Sequence, residues 1–235
     1  MIDTNENKAL EYLRGNFLHN IGMIRPIERG SARVLYAGDD GLALIDEVSG
    51  ALMLTVSRYE TGSKLLGQMP RAKLYLVHQD FMIKDFKEKL NPKNVYEDFT
   101  AAYFHSEPLP VQDDMSFAPL DISALDIVTR SYSLDIGEEY IRGRLESEAL
   151  FGAYVGDEMV GFAGEHEEGS LGMLVIFEKH RRKGYASSLV GFGVNRLLER
   201  GLIPFSNIHT HNKESVKMHE KLGFTVSSDR VWWLF

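Results

Sequence analysis

The order of predicted helices and strands is the same in the two halves of this 235-residue chain. Each half contains a β-hairpin, a turn into a third strand, and then helix, strand, helix and strand. The strands show alternating or clustered apolar residues between turn signals, and the helices show apolar residues every three or four positions. Because helices alternate with strands after an initial hairpin, we expect an α+β fold with a mixed α/β sheet, present twice in tandem.

Five strands are predicted in each half. In the first half the strands are 33–36, 42–45, 52–56, 73–77 and 95–104, and the helices are 8–17, 58–69 and 81–90. In the second half the strands are 151–155, 159–164, 171–177, 205–210 and 225–234, and the helices are 121–129, 138–146, 184–200 and 213–222. Three prolines and two adjacent aspartates fall in 107–119, which is the clearest boundary signal. We therefore expect an N-terminal half 1–106, a linker 107–119 and a C-terminal domain 120–235.

Composition and charge exclude several classes of protein. The formal net charge is −8, which argues against a nucleic-acid binder, because such proteins gain affinity by neutralising phosphates. No cysteine is present, so disulfides, thiolate metal sites and a cysteine nucleophile are excluded. No run of about 20 apolar residues predicts a membrane span, and residues 1–8 are polar and acidic, unlike a signal peptide. We expect a cytoplasmic protein without a membrane or nucleic-acid partner, and oligomerisation stays open.

One segment concentrates positive charge in this acidic chain. An apolar strand ends at Phe177, a cationic run that includes Lys179 and residues 181–183 follows, and Gly184 and Ala186 open a strongly periodic helix. The first amides of a helix have no internal acceptor, and the helix dipole favours negative charge there. Gly184 and the small Ala186 let the backbone approach a phosphate, so the segment predicts a diphosphate site. A solvated basic loop is the alternative, but the glycine and the helix favour the anion site. The motifs of Rossmann and P-loop sites are absent.

The sequence of this segment, RRKGYA at 181–186, resembles the R/Q-x-x-G-x-G/A signature of the GNAT superfamily of N-acetyltransferases. Residues 168–174, EGSLGML, look like that family's strand leading to the coenzyme. Residues 212–224, NKESVKMHEKLGF, resemble its N-x-x-[AS]-x-x-x-Y-x-x-x-G-F helix. The three motifs together are most similar to the glycine N-acyltransferase-like branch. The resemblance covers about residues 120–235, and it implies a GNAT-like fold there, with 1–106 as a degenerate GNAT-like copy.

The resemblance implies acetyl-CoA, or another acyl-CoA, as co-substrate, and no metal. In the family the coenzyme lies between two splayed strands, which would be 171–177 and 205–210 here. Backbone groups of the first strand would pair with the pantetheine amides, and the amides that follow would hold the diphosphate. The implied coenzyme-binding residues are Leu174, Val175, Ile176, Phe177, Arg181, Arg182, Lys183, Gly184, Tyr185, Ala186, Asn212 and Ser215. Zinc ligation by His209 and His211 is the weaker alternative, because no fourth ligand is evident.

The catalytic candidates are acidic residues and one histidine. An amine must be neutral to attack the thioester, so a base assists near neutral pH. Glu165 and Glu168, between the second and third strands of the domain, are the favoured bases, ahead of His166; an ordinary acidic turn is the alternative reading. His219 stands where the family carries a proton-donating tyrosine, so it is the candidate acid.

The implied function is an N-acyltransferase that moves an acyl group, in the first place acetyl, to a primary amine of a small molecule or amino acid. Two alternatives stay open. One is an acyl-CoA sensor without turnover, which the missing tyrosine favours. The other is a protein or peptide N-acetyltransferase, which would need an open groove for its substrate.

Overall fold

The computed structural model describes residues 4–134 and 136–235. Of the acidic segment 1–8, the first three residues lie outside the described part, and the rest belongs to a helix. The chain divides into two compact units: one contains the chain up to Ala101 together with Asn207–Val216 and Thr225–Phe235, and the other contains Ala102–Ser206 and Lys217–Phe224. The change of unit near Ala102 is close to the predicted boundary after residue 106. The final segments, however, belong to the unit built by the first half.

The first unit is built on a seven-stranded mixed sheet. Its strand order is β1-β2-β3-β4-β11-β5-β10. The strands are β1 (Ala32–Gly38), β2 (Gly41–Asp46), β3 (Ala51–Val56), β4 (Leu74–Val77), β5 (Val95–Ala102), β10 (Phe205–His209) and β11 (Thr225–Leu234). The helices that precede or connect them are α1 (Thr4–Arg14), α2 (Phe17–Glu28), α3 (Tyr59–Gln68) and α4 (Asp80–Leu90).

The last strand of the chain lies in the middle of this sheet. β11 pairs antiparallel with β4, with Trp232 opposite Val77 and Trp233 opposite Leu76. Successive side chains of a strand point to opposite faces, and accordingly Trp233 joins one hydrophobic cluster of the unit and Trp232 the other. Both tryptophans are buried, so the C-terminal strand helps to complete both faces of the core.

The second unit contains a four-stranded antiparallel sheet in the order β6-β7-β8-β9. The strands are β6 (Met115–Pro119), β7 (Leu150–Val155), β8 (Glu158–Glu165) and β9 (Leu171–Ile176). The helices are α5 (Leu125–Ser131), α6 (Glu138–Glu146), α7 (Tyr185–Glu199) and α8 (Lys213–Lys221), whose first residues belong to the other unit. One core cluster unites this sheet with residues of α5 and α6, and another unites it with Tyr185 and Leu189 of α7.

Two elements were missing from the sequence prediction. α2 contains Pro26, a residue that normally interrupts a helix, but here it lies in the last turn. β6 lies inside the predicted linker and ends at Pro119. β6 is an edge strand, the position in a sheet where proline is tolerated. Within the described ranges, every helix is too short or too polar to traverse a bilayer.

Candidate functional site

β9 has one paired edge and one open edge, since it is the last strand of its sheet. The amide of Phe177 donates to the Val160 carbonyl at 3.0 Å and thus faces β8. Because backbone groups alternate along a strand, those of Ile176 and Leu174 face the open edge. In agreement, the Ile176 carbonyl accepts from the side chain of Arg181 at 3.3 Å. An open edge is a row of donors and acceptors with which an extended ligand can pair.

A β-bulge interrupts the ladder between β8 and β9. Phe162 pairs with Val175 and Gly164 pairs with Gly172, so β9 has one more residue than β8 in this interval. The extra residue is accommodated at Met173, whose φ is +50°. The left-handed conformation costs a non-glycine residue roughly 1–3 kcal/mol, and it persists where the surroundings hold it in place. A bulge leaves one residue without a hydrogen-bond partner in the ladder. A backbone amide at or next to Met173 is therefore available for other contacts.

The loop after β9 and the start of α7 present a group of unpaired amides. Gly184 has a φ of +85° and stands before the first residue of α7 without a capping side chain; Arg182 also has a positive φ, +63°. Among the described residues, no backbone acceptor receives the amides of residues 182–186. Unpaired amides at the positive end of a helix dipole are an arrangement that favours an anion.

Gln112 holds this loop in place. Its side chain donates to the Lys183 carbonyl at 3.0 Å, and its amide donates to the Ser188 hydroxyl at 3.2 Å. A Cβ on Gly184 would lie 2.6 Å from the Gln112 side-chain nitrogen. The glycine is thus required both by its backbone conformation and by this close contact. No sequence motif indicates Gln112, because it lies in the segment predicted as a linker.

The cations of the loop have different environments. Lys179 forms an ion pair with Glu158 and is therefore engaged away from the anion site. Arg181, Arg182 and Lys183 are exposed, and no ion pair involves them within the described part of the chain. The exposed cations increase the positive potential around the amides.

The two predicted bases have different surroundings. Both oxygens of Glu165 accept from one nitrogen of Arg200, at 2.7 and 2.9 Å, as in a structural ion pair. Glu168 is buried, with 6% of its surface exposed, and accepts from the Ser170 hydroxyl. In the described ranges Glu168 forms no ion pair, so its carboxylate is the freer of the two to take a proton.

Two residues that the prediction ranked lower or missed stand beside Glu168. His166 Nδ1 lies 2.8 Å from the hydroxyl oxygen of Tyr140 on α6. The Glu167 amide donates to the same oxygen at 3.3 Å. His166 Nε2 lies against the backbone of Gly172, immediately before the bulge. The turn and the start of β9 therefore bring a carboxylate, an imidazole and a phenol together.

Comparisons with known proteins identify the fold. A family model described as FR47-like protein matches residues 152–233. A Drosophila protein of known structure is 13% identical, with a TM-score of 0.72 over 100% of this chain and 97% of its own. The fold is that of the GNAT acetyltransferases. A GCN5-related N-acetyltransferase-like protein from Streptococcus suis is 13% identical, with a TM-score of 0.55 over 97% of this chain and 100% of its own. An acetyltransferase of the GNAT family from Colwellia psychrerythraea is 16% identical, with a TM-score of 0.52 over 86% of this chain and 84% of its own. A search of curated proteins finds no significant match.

The helix that carries the third GNAT-like motif is α8. The side chain of Asn212 accepts from the Ser215 amide at 3.1 Å, so Asn212 caps the helix, which is a structural role beside the predicted coenzyme contact. His219 is buried, with 4% exposed, and packs edge-on against Phe224 at 4.8 Å. The roles of these three residues toward a coenzyme stay predictions.

In the first unit, side chains occupy the end of β3 and the start of α3. β3 and β4 pair in parallel as far as Leu54 and Val77. Beyond these residues, Gln79 connects the end of β4 to the end of β3: its side chain accepts from the Val56 amide at 2.8 Å and donates to the Thr55 hydroxyl at 3.1 Å. At the start of α3 the carboxylate of Asp40 accepts from the Thr61 hydroxyl. This unit has no open strand edge between β3 and β4.

The histidines near the end of β10, considered above as the weaker alternative for zinc ligation, contact protein groups. Nδ1 of His209 pairs with the buried carboxylate of Asp98, which raises the pKa of His209 above its ordinary value. The rings of His209 and His211 are stacked with centroids 5.4 Å apart. Among residues 4–134 and 136–235, no group of three or more histidine or acidic side chains is arranged to hold a metal ion.

Proposed function

We propose that the chain transfers an acyl group, in the first place acetyl, from acyl-CoA to the primary amine of a small molecule or amino acid. The observation that carries the proposal is that three features follow one another along the chain. They are the open edge of β9, the bulge within β9, and the loop of unpaired amides at the start of α7. The GNAT fold supports acyl-CoA-dependent acyl transfer in general terms, and the acceptor class is the part that we add, from the resemblance to the glycine N-acyltransferase-like branch.

The amides of residues 182–186 are the proposed diphosphate site. Hydrogen bonds between amides and a charged group contribute about 1.5–3 kcal/mol each, roughly twice a neutral bond. Arg182 and Lys183 add a screened attraction for the diphosphate or the 3′-phosphate. Arg181 has a second task, because it contacts the carbonyl of Ile176 and braces the end of β9.

The open edge of β9 is the proposed partner of the pantetheine arm. Of the residues predicted for this contact, Leu174 and Ile176 have backbone groups on the open edge. The Phe177 amide is occupied by Val160, and Val175 is paired with Phe162 of β8. The pantetheine amides would thus pair with every second residue of the strand, as a neighbouring strand does.

The proposed chemistry is direct transfer. Glu168 takes a proton from the acceptor ammonium, which frees the nitrogen lone pair to form the new C–N bond. The carbonyl π pair moves onto oxygen, and the amide released by the bulge stabilises the resulting negative charge. When this pair returns, the C–S bond breaks, and the second nitrogen proton passes to the departing sulfur.

The second candidate function is an acyl-CoA sensor. His219 stands at the position of the family's tyrosine, and its imidazole is buried against Phe224. A buried side chain that fills space here would leave the departing thiolate without its usual donor, which favours binding without turnover.

A two-part experiment tests the proposed function. Calorimetry with acetyl-CoA measures binding, and a free-thiol assay measures turnover across amino acids, small primary amines and short peptides, with mass spectrometry of the acetylated product. We expect binding, and thiol release that depends on one class of small amine. Binding without release on any acceptor would favour the sensor, and release with peptides alone would favour a peptide acetylase. Absence of binding would contradict all three coenzyme-dependent functions.

A further inference from the structure

Tyr140 and His166 form a hydrogen-bonded pair in which the tautomer of His166 decides which side chain donates. The Tyr140 oxygen already accepts the Glu167 amide. Burial and the negative charge of Glu168 raise the pKa of Tyr140 well above its ordinary value, so the hydroxyl keeps its proton. Nδ1 of His166, at 2.8 Å, is close enough to accept a hydrogen bond from this hydroxyl. A neutral imidazole that accepts at Nδ1 carries its own proton on Nε2.

The Nε2–H group lies next to the bulge of β9. A Cβ on Gly172 would be 2.6 Å from Nε2 and 2.7 Å from the adjoining ring carbon. The imidazole therefore occupies the space that any other residue at position 172 would need for its side chain. The next residue is Met173, whose left-handed conformation forms the bulge. The imidazole of His166 thus lies beside Gly172, the residue that precedes the bulge residue Met173 in β9.

We propose that His166 is a catalytic residue that donates its Nε2–H to the acyl oxygen during transfer. The proposal rests on the proposed function, because it needs the thioester at the bulge. As the C–N bond forms, the carbonyl π pair moves to oxygen, and this oxyanion accepts hydrogen bonds from Nε2 and the bulge amide. As the C–S bond breaks, the pair returns and the bonds weaken. His166 keeps its proton throughout, and Tyr140 is a positioning residue that fixes the tautomer.

Substitution of His166 by glutamine distinguishes a hydrogen-bond donor from a base, because glutamine retains an N–H donor and cannot act as a base. The assay uses the amine with the fastest thiol release, or acetyl-CoA hydrolysis if no amine is used. We expect His166→Ala to lower kcat about 10²–10³-fold, as for loss of one oxyanion donor. We expect His166→Gln to remain within about tenfold of the wild type. The pH profile of kcat/KM should keep its shape in His166→Gln.

Controls separate this role from folding and from coenzyme binding. His105→Ala changes another histidine of the same unit, one that is exposed, and should leave kcat unchanged. The Kd for acetyl-CoA and the melting temperature should be alike in all variants. Equal losses of kcat in His166→Ala and His166→Gln, or loss of one limb of the pH profile in the glutamine variant alone, would overturn the donor role.

The tautomer is measurable without turnover. Two-bond ¹H–¹⁵N correlation spectra of the wild type at pH 7.5 should show His166 protonated on Nε2, and Tyr140→Phe should convert it to a mixture of tautomers. An imidazole protonated on Nδ1, or an imidazolium, would refute the proposal even if the protein is an active acetyltransferase. Failure of the proposed function is distinguishable, because wild-type protein would then either not bind acetyl-CoA or bind it without thiol release, while the His166 tautomer is unaffected.

Discussion

Replacing Gly184 by alanine should weaken coenzyme binding far more than it weakens the fold. At φ +85° an alanine is strained by about 1–2 kcal/mol. Its Cβ would also stand 2.6 Å from the Gln112 side chain, so Gln112 must move and give up its 3.0 Å bond to Lys183. If the loop relieves this strain by turning one amide away from the diphosphate, binding loses about 1.5–3 kcal/mol. That loss corresponds to a roughly 10–150-fold increase in Kd for acetyl-CoA.

Gly201 provides a matched control at the other end of α7. Its φ is +68°, and a Cβ there would have no atom within 4 Å. Gly201→Ala therefore imposes similar backbone strain without a clash and without a proposed ligand contact. Calorimetry should show an unchanged Kd for Gly201→Ala, while both variants lose a few degrees of melting temperature, about 2–4 °C per kcal/mol for a chain of this size.

A second variant separates strain from the clash. Gln112→Ala removes only the side-chain bond to Lys183, worth about 0.5–1.5 kcal/mol, so its Kd should rise about tenfold or less. The double variant Gln112→Ala/Gly184→Ala should remain weak, because the positive φ is still occupied by alanine. A Kd for Gly184→Ala within threefold of the wild type would refute the assignment of the diphosphate to this loop.

Three further predictions concern stoichiometry, pH and the base. Because Gln79 connects β3 and β4 in the first unit, calorimetry should give one acetyl-CoA per chain; two equal sites would contradict this. Burial lowers the pKa of His19 and His78. As the pH decreases, these histidines therefore become protonated at a higher pH in the unfolded chain than in the folded one. The free energy of unfolding should fall as pH decreases below about 6.5, by up to about 1.4 kcal/mol per pH unit for each histidine. Urea titrations of a variant with glutamine at both positions should show a flatter dependence, and an equal slope would contradict the assignment. Finally, Glu168→Gln should lower kcat about 10²–10⁴-fold, whereas Glu165→Gln should mainly lower the melting temperature; the reverse pattern would transfer the base to Glu165.

Local features of the second unit were predictable from the sequence because they depend on neighbouring residues. The helix predicted over 184–200 is α7, Tyr185–Glu199, since glycine before an apolar-periodic run is a local signal. The strand predicted over 171–177 is β9, Leu171–Ile176. The left-handed Met173 has no such signal, because methionine has no preference for positive φ. It depends on a register shift against β8 that only the folded sheet defines.

The partners of a segment that are distant in the sequence could not be predicted. The alternation that marks β11 indicates a strand but not its neighbour, and the structure places it between β4 and β5. In the same way Gln112 and Tyr140 carry no motif, and their roles arise from contacts with residues 71 and 26 positions away. The sequence thus predicts what each segment is, while the partners that orient Lys183 and His166 come from the fold.

The repeated order of elements explains why only one unit is expected to bind the coenzyme. In the first unit, the end of the third strand is tied to the next by Gln79, and the start of the following helix receives the carboxylate of Asp40. In the second unit, the third strand is an open edge, and the following helix begins at Gly184 with unpaired amides. The same two positions are therefore filled from within in one unit and free in the other. A coenzyme that bound the first unit in the same way would have to displace these side-chain hydrogen bonds, whereas in the second unit the amides of residues 182–186 have no backbone acceptor to lose.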